Sequence, residues 1–369
     1  MHKLNLLTIG GLLPWHPKAG GGQRYSYKLA KAIMELGHST DYIAVNQDEC
    51  TSYPQEDFIQ FKSKMFLSQI LDSLSFKDND IIHLHAANET QGYCLGFGIK
   101  KIFKNNIKLI IQMHAPQVHK IPRSFGELFS IFACKTADSV FCVSNFAKKN
   151  ICDSYKIPES KIKVIYAGVD ESILHVERNN KKSDVPIVLF VGRLGGPRGL
   201  KGQKGIDILL QALPLILKKH DIRLKLIGSG KVDPYLSFIR KLGIEEYVEF
   251  IGFVNDEKLL EHYFNSDLFV FPSRRESFGL VLAEAMASGL PVVSTTAGAI
   301  PEVVENGETG ILVQPEDPGA LAGAIIHLLD DPEKMIIMGK KGKERVKQYF
   351  TWNKVATRVL DCYNEILGY

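Results

Sequence analysis

Short apolar runs alternate along the chain with longer segments in which apolar residues recur at helical spacing. Runs bounded by glycine and proline are typical of buried strands, and the longer segments are typical of amphipathic helices. Alternating strand–helix units predict parallel sheets covered by helices. Two such series, 1–170 and 186–348, flank the polar stretch 171–185, which we interpret as an interdomain linker. The final segment, 349–369, predicts one more helix.

Composition places the chain among soluble globular proteins of about two domains. It has 369 residues, of which 45% are hydrophobic and 23% are charged, and its net charge of +4 is too small to indicate nucleic acid binding. The positive excess lies in residues 1–170. Two explanations remain open for it: contact with an anionic membrane or acceptor, or a solvated lysine surface.

Cysteine spacing and the absence of long apolar runs predict a cytoplasmic protein. The six cysteines form no CxxC pair and no metal spacing, which favours reduced core thiols. The chain begins directly with a predicted strand, so no signal peptide is visible. No apolar run approaches the ~20 residues that a membrane-spanning helix needs.

One module, 264–310, carries the strongest signal for a binding site. Its pattern predicts a strand at 267–271, a charged loop, a helix at 280–287 and a second strand at 292–295. In open α/β sheets, ligands bind outside the carboxyl ends of the strands, so this loop and the start of the helix should border a site. The helix start offers unpaired N–H groups, which suit a phosphate.

Two carboxylates in this module are candidates for ligand contacts. Glu276 lies in the loop, and Glu284 lies eight positions later on the predicted helix. A carboxylate accepts two hydrogen bonds and could hold both hydroxyls of a ribose. The alternative is structural, with Glu276 capping the helix and Glu284 solvated.

The motifs ESFGL at 276–280, EA at 284–285, GLPVV at 289–293 and PE at 301–302 together resemble the nucleotide-sugar motif of family-4 retaining glycosyltransferases. The resemblance implies the α/β GT-B architecture, in which two Rossmann-like domains face a central cleft. The first domain would face the acceptor, and the second would bind the nucleotide sugar. The C-terminal helix would cross back to the first domain.

The resemblance also implies roles for residues of the second domain. Arg193 and a lysine in the following loop would neutralise the departing diphosphate. Both Lys201-Gly202 and Lys204-Gly205 fit this lysine, and Lys204 keeps the better register. Glu284 would bind the ribose, and the sugar and phosphates would be held by a set of loop residues. That set is Glu276, Phe278, Gly279 and Leu280, while Gly230 would lie in a tight loop near the nucleotide and Phe253 near the base.

In the first domain, the resemblance covers a glycine-rich loop and one histidine. The backbone of Gly21 would approach the donor diphosphate, and Gln23 would face the acceptor. His114 follows a predicted strand and would contact the transferred sugar. For each of these residues, an ordinary structural role is the alternative.

The sequence also contains a possible metal motif and a possible membrane segment. Asp78-Asn79-Asp80 matches a DxD metal motif, but it precedes its strand, at the end opposite the expected site, so we expect no metal ligand there. The segment 119–135 combines basic and apolar residues. It fits either a peripheral membrane contact or a core helix.

The resemblance therefore implies a retaining, metal-independent hexosyltransferase without a cofactor, using a UDP- or GDP-sugar as co-substrate. A saccharide or lipid-linked acceptor is expected, in cell-envelope polysaccharide or glycolipid synthesis. The protein would be cytoplasmic, with possible peripheral contact at the inner face of the membrane. Two alternatives stay open: a UDP-sugar 2-epimerase of the same fold, and a catalytically silent sugar-nucleotide-binding protein.

Overall fold

The computed structural model divides into two compact units, Met1–Gly168 with Trp352–Tyr369, and Val169–Thr351. Asp78, the side chain of Gln23 and residues 119–124 lie outside the part of the chain that the structure describes. The described residues are 3–10, 21–45, 59–62, 80–85, 98, 107–114, 125–177, 185–195 and 200–369.

The first unit contains a parallel sheet of seven strands in the order β3-β2-β1-β4-β5-β6-β7. The strands are β1 (Asn5–Gly10), β2 (Ser39–Val45), β3 (Ile59–Lys62), β4 (Ile81–His85), β5 (Lys108–Met113), β6 (Ser139–Cys142) and β7 (Ile162–Val164). Its described helices are α1 (Gly21–Glu35), α2 (Phe125–Thr136), α3 (Asn145–Tyr155) and the C-terminal helix, labelled α12 (Trp352–Leu367).

The two faces of this sheet differ in character. Ile82, Leu84, Leu109 and Ile111 belong to an apolar cluster that includes residues of α2 and α3. The alternate positions on β4 carry His83 and His85 instead. Because successive side chains of a strand point to opposite faces, the histidines lie on the other face. Aromatic side chains of α1 and α12 contact them there.

The second unit contains a parallel six-stranded sheet in the order β10-β9-β8-β11-β12-β13. The strands are β8 (Ile187–Val191), β9 (Arg223–Ile227), β10 (Val248–Gly252), β11 (Leu268–Phe271), β12 (Val292–Thr295) and β13 (Gly310–Val313). The helices are α4 (Ser172–His175), α5 (Ile206–Leu217), α6 (Asp233–Leu242), α7 (Asp256–Phe264), α8 (Leu280–Ala287), α9 (Ile300–Val303), α10 (Pro318–Leu329) and α11 (Pro332–Tyr349).

The first strand of each unit, β1 in the first and β8 in the second, lies inside its sheet, and later strands are added on either side of it. This is the doubly wound arrangement, in which ligands bind at the carboxyl edge where the order reverses. The prediction of an α/β fold with two Rossmann-like units is confirmed. The segment read as a linker contains α4, which packs against α8.

One element of the first unit departs from the sequence prediction. Helix α1 begins at Gly21, so Gly21 and Gly22 open the helix instead of belonging to the glycine-rich loop that the sequence predicts. No helix of the described residues is long and apolar enough to cross a membrane.

Candidate active site

The central contact of the second unit is an ion pair between Lys204 and Glu276. The Nζ atom of Lys204 lies 2.6 Å from Oε2 of Glu276, and the side chains are 26% and 13% exposed. The other oxygen, Oε1, accepts a hydrogen bond of 3.3 Å from the backbone N–H of Ser277. The Lys204 ammonium also lies 5.3 Å from the ring centroid of Phe271. The loop after β11 and the loop before α5 therefore bring opposite charges together.

Gly205 fixes which lysine of the long loop reaches this position. Its φ of +70° is in the left-handed region, and a Cβ there would lie 1.9 Å from the carbonyl oxygen of Pro272. A Cβ on Gly202 would meet its nearest atom, the carbonyl oxygen of Gly195, at an ordinary 3.5 Å. Only Gly205 is required by close packing, so the geometry favours Lys204 over the exposed Lys201 as the residue of the site.

Arg274, which no motif in the sequence marks as a site residue, joins the same two loops. Its guanidinium donates two hydrogen bonds of 2.7 Å to the carboxylate of Asp207 and one of 2.6 Å to the carbonyl of Gly202. It also pairs with Glu316. Such bidentate geometry is characteristic of strong arginine–carboxylate pairs, and these partners raise the pKa of Arg274. Arg274 thus holds the loop that carries Lys204.

A turn after β12 supports the backbone of Glu276. The N–H of Ala299 donates to the carbonyl of Glu276 at 3.0 Å. Gly298 has a φ of +62°, and a Cβ there would lie 2.2 Å from the same carbonyl oxygen. A side chain at position 298 would push this turn away, so the small residue keeps Glu276 in place.

Helix α8 begins directly beside the ion pair. Gly279 is its N-cap, with a φ of 94°, and no side chain of the described residues caps it. Its first N–H groups and partial positive charge can therefore receive an anion. Phe278 is 5% exposed and packs edge-on against Phe350 at 5.6 Å, so only its backbone can serve a ligand. Leu280 is the first residue of the helix.

Arg193 lies at the carboxyl end of β8, in a loop held by its neighbour Leu194. The N–H of Leu194 donates to the carbonyl of Ser229 at 2.8 Å. Gly230 follows, with a φ of +145°, and a Cβ there would lie 1.6 Å from the carbonyl oxygen of Leu194. The side chain of Arg193 is exposed and makes no ion pair with the described residues. Its charge is therefore available to a ligand at this edge.

Glu284 and Phe253 occupy separate places in the same unit. Tyr263 of α7 donates a hydrogen bond of 3.1 Å from its hydroxyl to Oε2 of Glu284, which orients the carboxylate. Sequence reasoning had no signal for this tyrosine. Phe253 directly follows β10 and is 67% exposed. Its ring offers a surface on which a planar group could stack.

The first unit places His114 at the carboxyl end of β5. Its Nε2 lies 3.2 Å from Nδ1 of His85, and the ring of Tyr25 meets it edge-on at 4.8 Å. Burial lowers the pKa of His114 to about 4. Gly21 and Gln23 lie in the first turn of α1. Asp80 accepts a hydrogen bond of 2.9 Å from the N–H of Asn5, at the amino edge of the sheet.

Two family models match the chain. The one described as "Glycosyl transferases group 1" matches residues 173–345, and the one described as "Glycosyltransferase Family 4" matches residues 19–173. Spore coat protein SA of Bacillus subtilis is 31% identical over 69% of this chain and 74% of its own length. The chain is a family-4, group 1 glycosyltransferase. The resemblance recognised in the sequence is confirmed.

Other relatives of this glycosyltransferase extend over nearly its whole length. The N-acetyl-alpha-D-glucosaminyl L-malate synthase of Bacillus anthracis is 27% identical, covering 98% of this chain and 97% of the relative. A crystal structure of Anabaena HepE in complex with UDP and glucose superposes with a TM-score of 0.76 at 19% identity. It covers 98% of this chain and 100% of that one. This structural likeness shows the shared fold.

Proposed function

We propose that this glycosyltransferase is a retaining, metal-independent hexosyltransferase that uses a UDP- or GDP-sugar as donor. The observation that carries the proposal is the meeting of Lys204, Glu276 and the uncapped start of α8. A cation, a carboxylate and free backbone N–H groups side by side suit a sugar diphosphate. The first two groups would bind its charged and hydroxyl parts, and the helix start would bind a phosphate.

The leaving group would be stabilised by charge. As the bond between the sugar C1 and the phosphate oxygen breaks, negative charge grows on the nucleoside diphosphate. Lys204, Arg193 and the N–H groups of Gly279 and Leu280 would receive that charge, with the backbone of Gly21 and Gly230 near the phosphates. Groups oriented in advance toward developing charge are the largest single source of catalysis in many enzymes. They would serve in place of a divalent metal.

The sugar and nucleoside would be held by the carboxylates. Once a phosphate takes over the ammonium of Lys204, Glu276 is released to accept hydrogen bonds from sugar hydroxyls. Glu284, oriented by Tyr263, would accept both ribose hydroxyls, and Phe253 would lie against the base. His114 would contact the transferred sugar, as the family resemblance implies.

Transfer with retention requires the acceptor to attack the face that the phosphate leaves. The acceptor oxygen forms a bond to C1 as the C1–O bond to the diphosphate breaks. The acceptor proton passes to the departing phosphate oxygen, so that atoms and charge balance without a protein nucleophile. The acceptor would be the hydroxyl of a saccharide or of a lipid-linked sugar, met near Gln23.

A peripheral membrane contact is consistent with helix α2. Leu128 and Phe132 are 39% and 49% exposed, one turn apart, and Lys135 follows them in the last turn. An exposed apolar pair beside a cation suits the surface of an anionic bilayer, where the protein would meet a lipid-linked acceptor from the cytoplasmic side.

The test begins with thermal unfolding in UDP-glucose, UDP-N-acetylglucosamine and GDP-mannose. A ligand at 100 times its Kd stabilises the folded chain by ~2.7 kcal/mol, and a nucleotide sugar should do so. The selected donor is then incubated with acceptor alcohols in EDTA, and the product is analysed by proton NMR. A glycoside of retained anomeric configuration is expected. An inverted product, or loss of activity that manganese restores, would contradict the proposal. An epimer formed without any acceptor would favour the epimerase.

A further inference from the structure

Three histidine rings lie in a row, two of them on β4 and the third directly after β5. The ring centroids of His83 and His85 are 4.1 Å apart, and Nδ1 of His85 lies 3.2 Å from Nε2 of His114. His83 and His85 are 1% and 3% exposed. Among the described residues, no group of three His, Cys, Asp or Glu side chains is arranged to hold a metal. The family resemblance concerns His114 and leaves the other two without a role.

The geometry of His85 and His114 is that of an end-to-end hydrogen bond. Their ring planes differ by 22°, and their centroids are 5.4 Å apart. The two nitrogens account for 3.2 Å of the distance between the ring centroids. The rest equals the distance from centroid to nitrogen in the two rings, so the rings lie edge to edge. The N–H of one ring therefore points along the plane of the other, so one imidazole donates and the other accepts.

Both rings stay neutral at ordinary pH, so each carries a single N–H. Burial lowers the pKa of His114 to about 4 and that of His85 well below its usual value, and the neighbouring histidines lower that of His85 further. The described side chains beside the three rings are uncharged: Tyr25, Gln112, Phe141 and Tyr363. No described carboxylate stands beside them to draw in a proton.

The surroundings of His85 decide which ring donates. Its second nitrogen, Nε2, is buried and has no hydrogen-bond partner among the described residues. Buried donors without a partner are rarer in proteins than buried acceptors without one. The proton of His85 therefore belongs on Nδ1, where it has a partner, and Nε2 keeps the lone pair. Nε2 of His114 must then be the acceptor, so the proton of His114 lies on Nδ1.

We propose that His85 is a positioning residue that fixes His114 as the Nδ1–H tautomer. His114 then presents a hydrogen-bond donor to an oxygen of the transferred sugar. The proposal rests on the proposed function for its substrate, and on the contacts within the first unit for its chemistry. A neutral donor recognises a hydroxyl or ring oxygen without adding a charge, so it favours sugars that place an accepting oxygen there.

The tautomer is read directly by ¹H–¹⁵N NMR of the imidazole nitrogens, with His114 assigned by the signals lost in His114→Gln. His38 is an internal reference, because its Nδ1 accepts the N–H of Leu4 at 3.2 Å and its proton must lie on Nε2. We expect the proton of His114 on Nδ1, the opposite of His38, both in the native chain and in Tyr363→Phe. His85→Asn keeps an N–H close to the Nδ1 position and should preserve the pattern, whereas His85→Leu should abolish it.

Binding of UDP-glucose and of UDP, measured by calorimetry, gives the second readout; GDP-mannose and GDP replace them if the screen selects GDP. His85→Leu should weaken binding of the nucleotide sugar about tenfold and leave binding of the nucleoside diphosphate unchanged. His85→Asn should restore the affinity for the nucleotide sugar. An Nε2–H tautomer in the native chain, or equal losses for both ligands, would overturn the proposal. If the native chain binds neither ligand while His114 carries its proton on Nδ1, the proposed function fails and the tautomer assignment stands.

Discussion

The ammonium of Lys204 lies 2.6 Å from the carboxylate of Glu276, although 72 positions separate the two residues in the chain. The ion pair holds the Lys204 ammonium near the start of α8, and the carboxylate balances its charge where both side chains are largely buried. A bound diphosphate would replace Glu276 as the ion-pair partner of Lys204, and the carboxylate of Glu276 could then accept hydrogen bonds from the sugar. Donor binding would thus exchange one ion pair for another, which limits the cost of desolvating Lys204.

The register of the loop before α5 predicts unequal effects of two glycine substitutions. Gly205→Ala places a Cβ against the carbonyl of Pro272 in a left-handed conformation, and should lower the free energy of unfolding by at least about 2 kcal/mol. Gly202→Ala, the matched control, meets only ordinary contacts and should be close to neutral. Urea unfolding followed by circular dichroism measures both. Equal stability of the two variants would show that the loop does not need glycine at position 205.

The ion pair of Arg274 with Asp207 predicts that removing Arg274 strongly lowers stability and that also removing Asp207 recovers part of the loss. Asp207 is 4% exposed, so Arg274→Ala leaves a buried carboxylate without its partner, at a cost of about 3–5 kcal/mol. The double variant Arg274→Ala/Asp207→Ala should recover part of this loss. Arg275→Ala is the control, because the side chain of Arg275 is exposed. Additive effects in this double-mutant cycle would argue against coupling of the pair.

Regular elements with strong patterns could be predicted from the sequence, whereas the support of the site could not. The bounds of α8 and β12 match the prediction, because apolar periodicity, glycine and proline mark their ends. The sequence predicts a loop at Gly21, where α1 begins, because glycines are poor helix formers, and packing overrides that preference.

The residues that support the predicted site are joined only by the fold. Arg274 meets Asp207 across 67 positions, and Tyr263 meets Glu284 across 21. No local pattern encodes such contacts, because they depend on which loops meet at the carboxyl edge of the sheet. The roles of the predicted site residues themselves stay predictions until a ligand is bound.

The buried histidines predict acid sensitivity of the first unit. Burial lowers the pKa of His83 to about 3 and of His114 to about 4, below the usual 6.5 that applies to the unfolded chain. The unfolded chain therefore takes up protons first as the pH falls. Stability should decline from about pH 6.5 toward pH 4, by up to about 1.4 kcal/mol per pH unit for each histidine. Urea unfolding across this range measures the slope, and His83→Gln should reduce it. An unchanged slope would contradict the assignment.

Substitution of Glu284 and of Arg193 should change different kinetic constants, KM for the donor in the first case and kcat in the second. Glu284→Ala removes hydrogen bonds made equally before and during reaction, so the donor KM should rise by the equivalent of about 1.5–3 kcal/mol. Arg193→Ala removes a charge that matters most as the bond breaks, so kcat should fall by roughly 10² or more. Release of the nucleoside diphosphate is measured for both, with circular dichroism as the folding control. Near-normal kinetics in both variants would mean that these are surface residues.

The central claim is that Lys204 holds the departing diphosphate, and the comparison of Lys204→Ala with Lys201→Ala tests it most directly. Both variants remove one lysine from the same loop, but only Lys204 lies against Glu276. The rate of nucleoside diphosphate release at saturating donor should fall by roughly 10² in Lys204→Ala and stay close to normal in Lys201→Ala. A large loss in Lys201→Ala with a normal rate in Lys204→Ala would contradict the account.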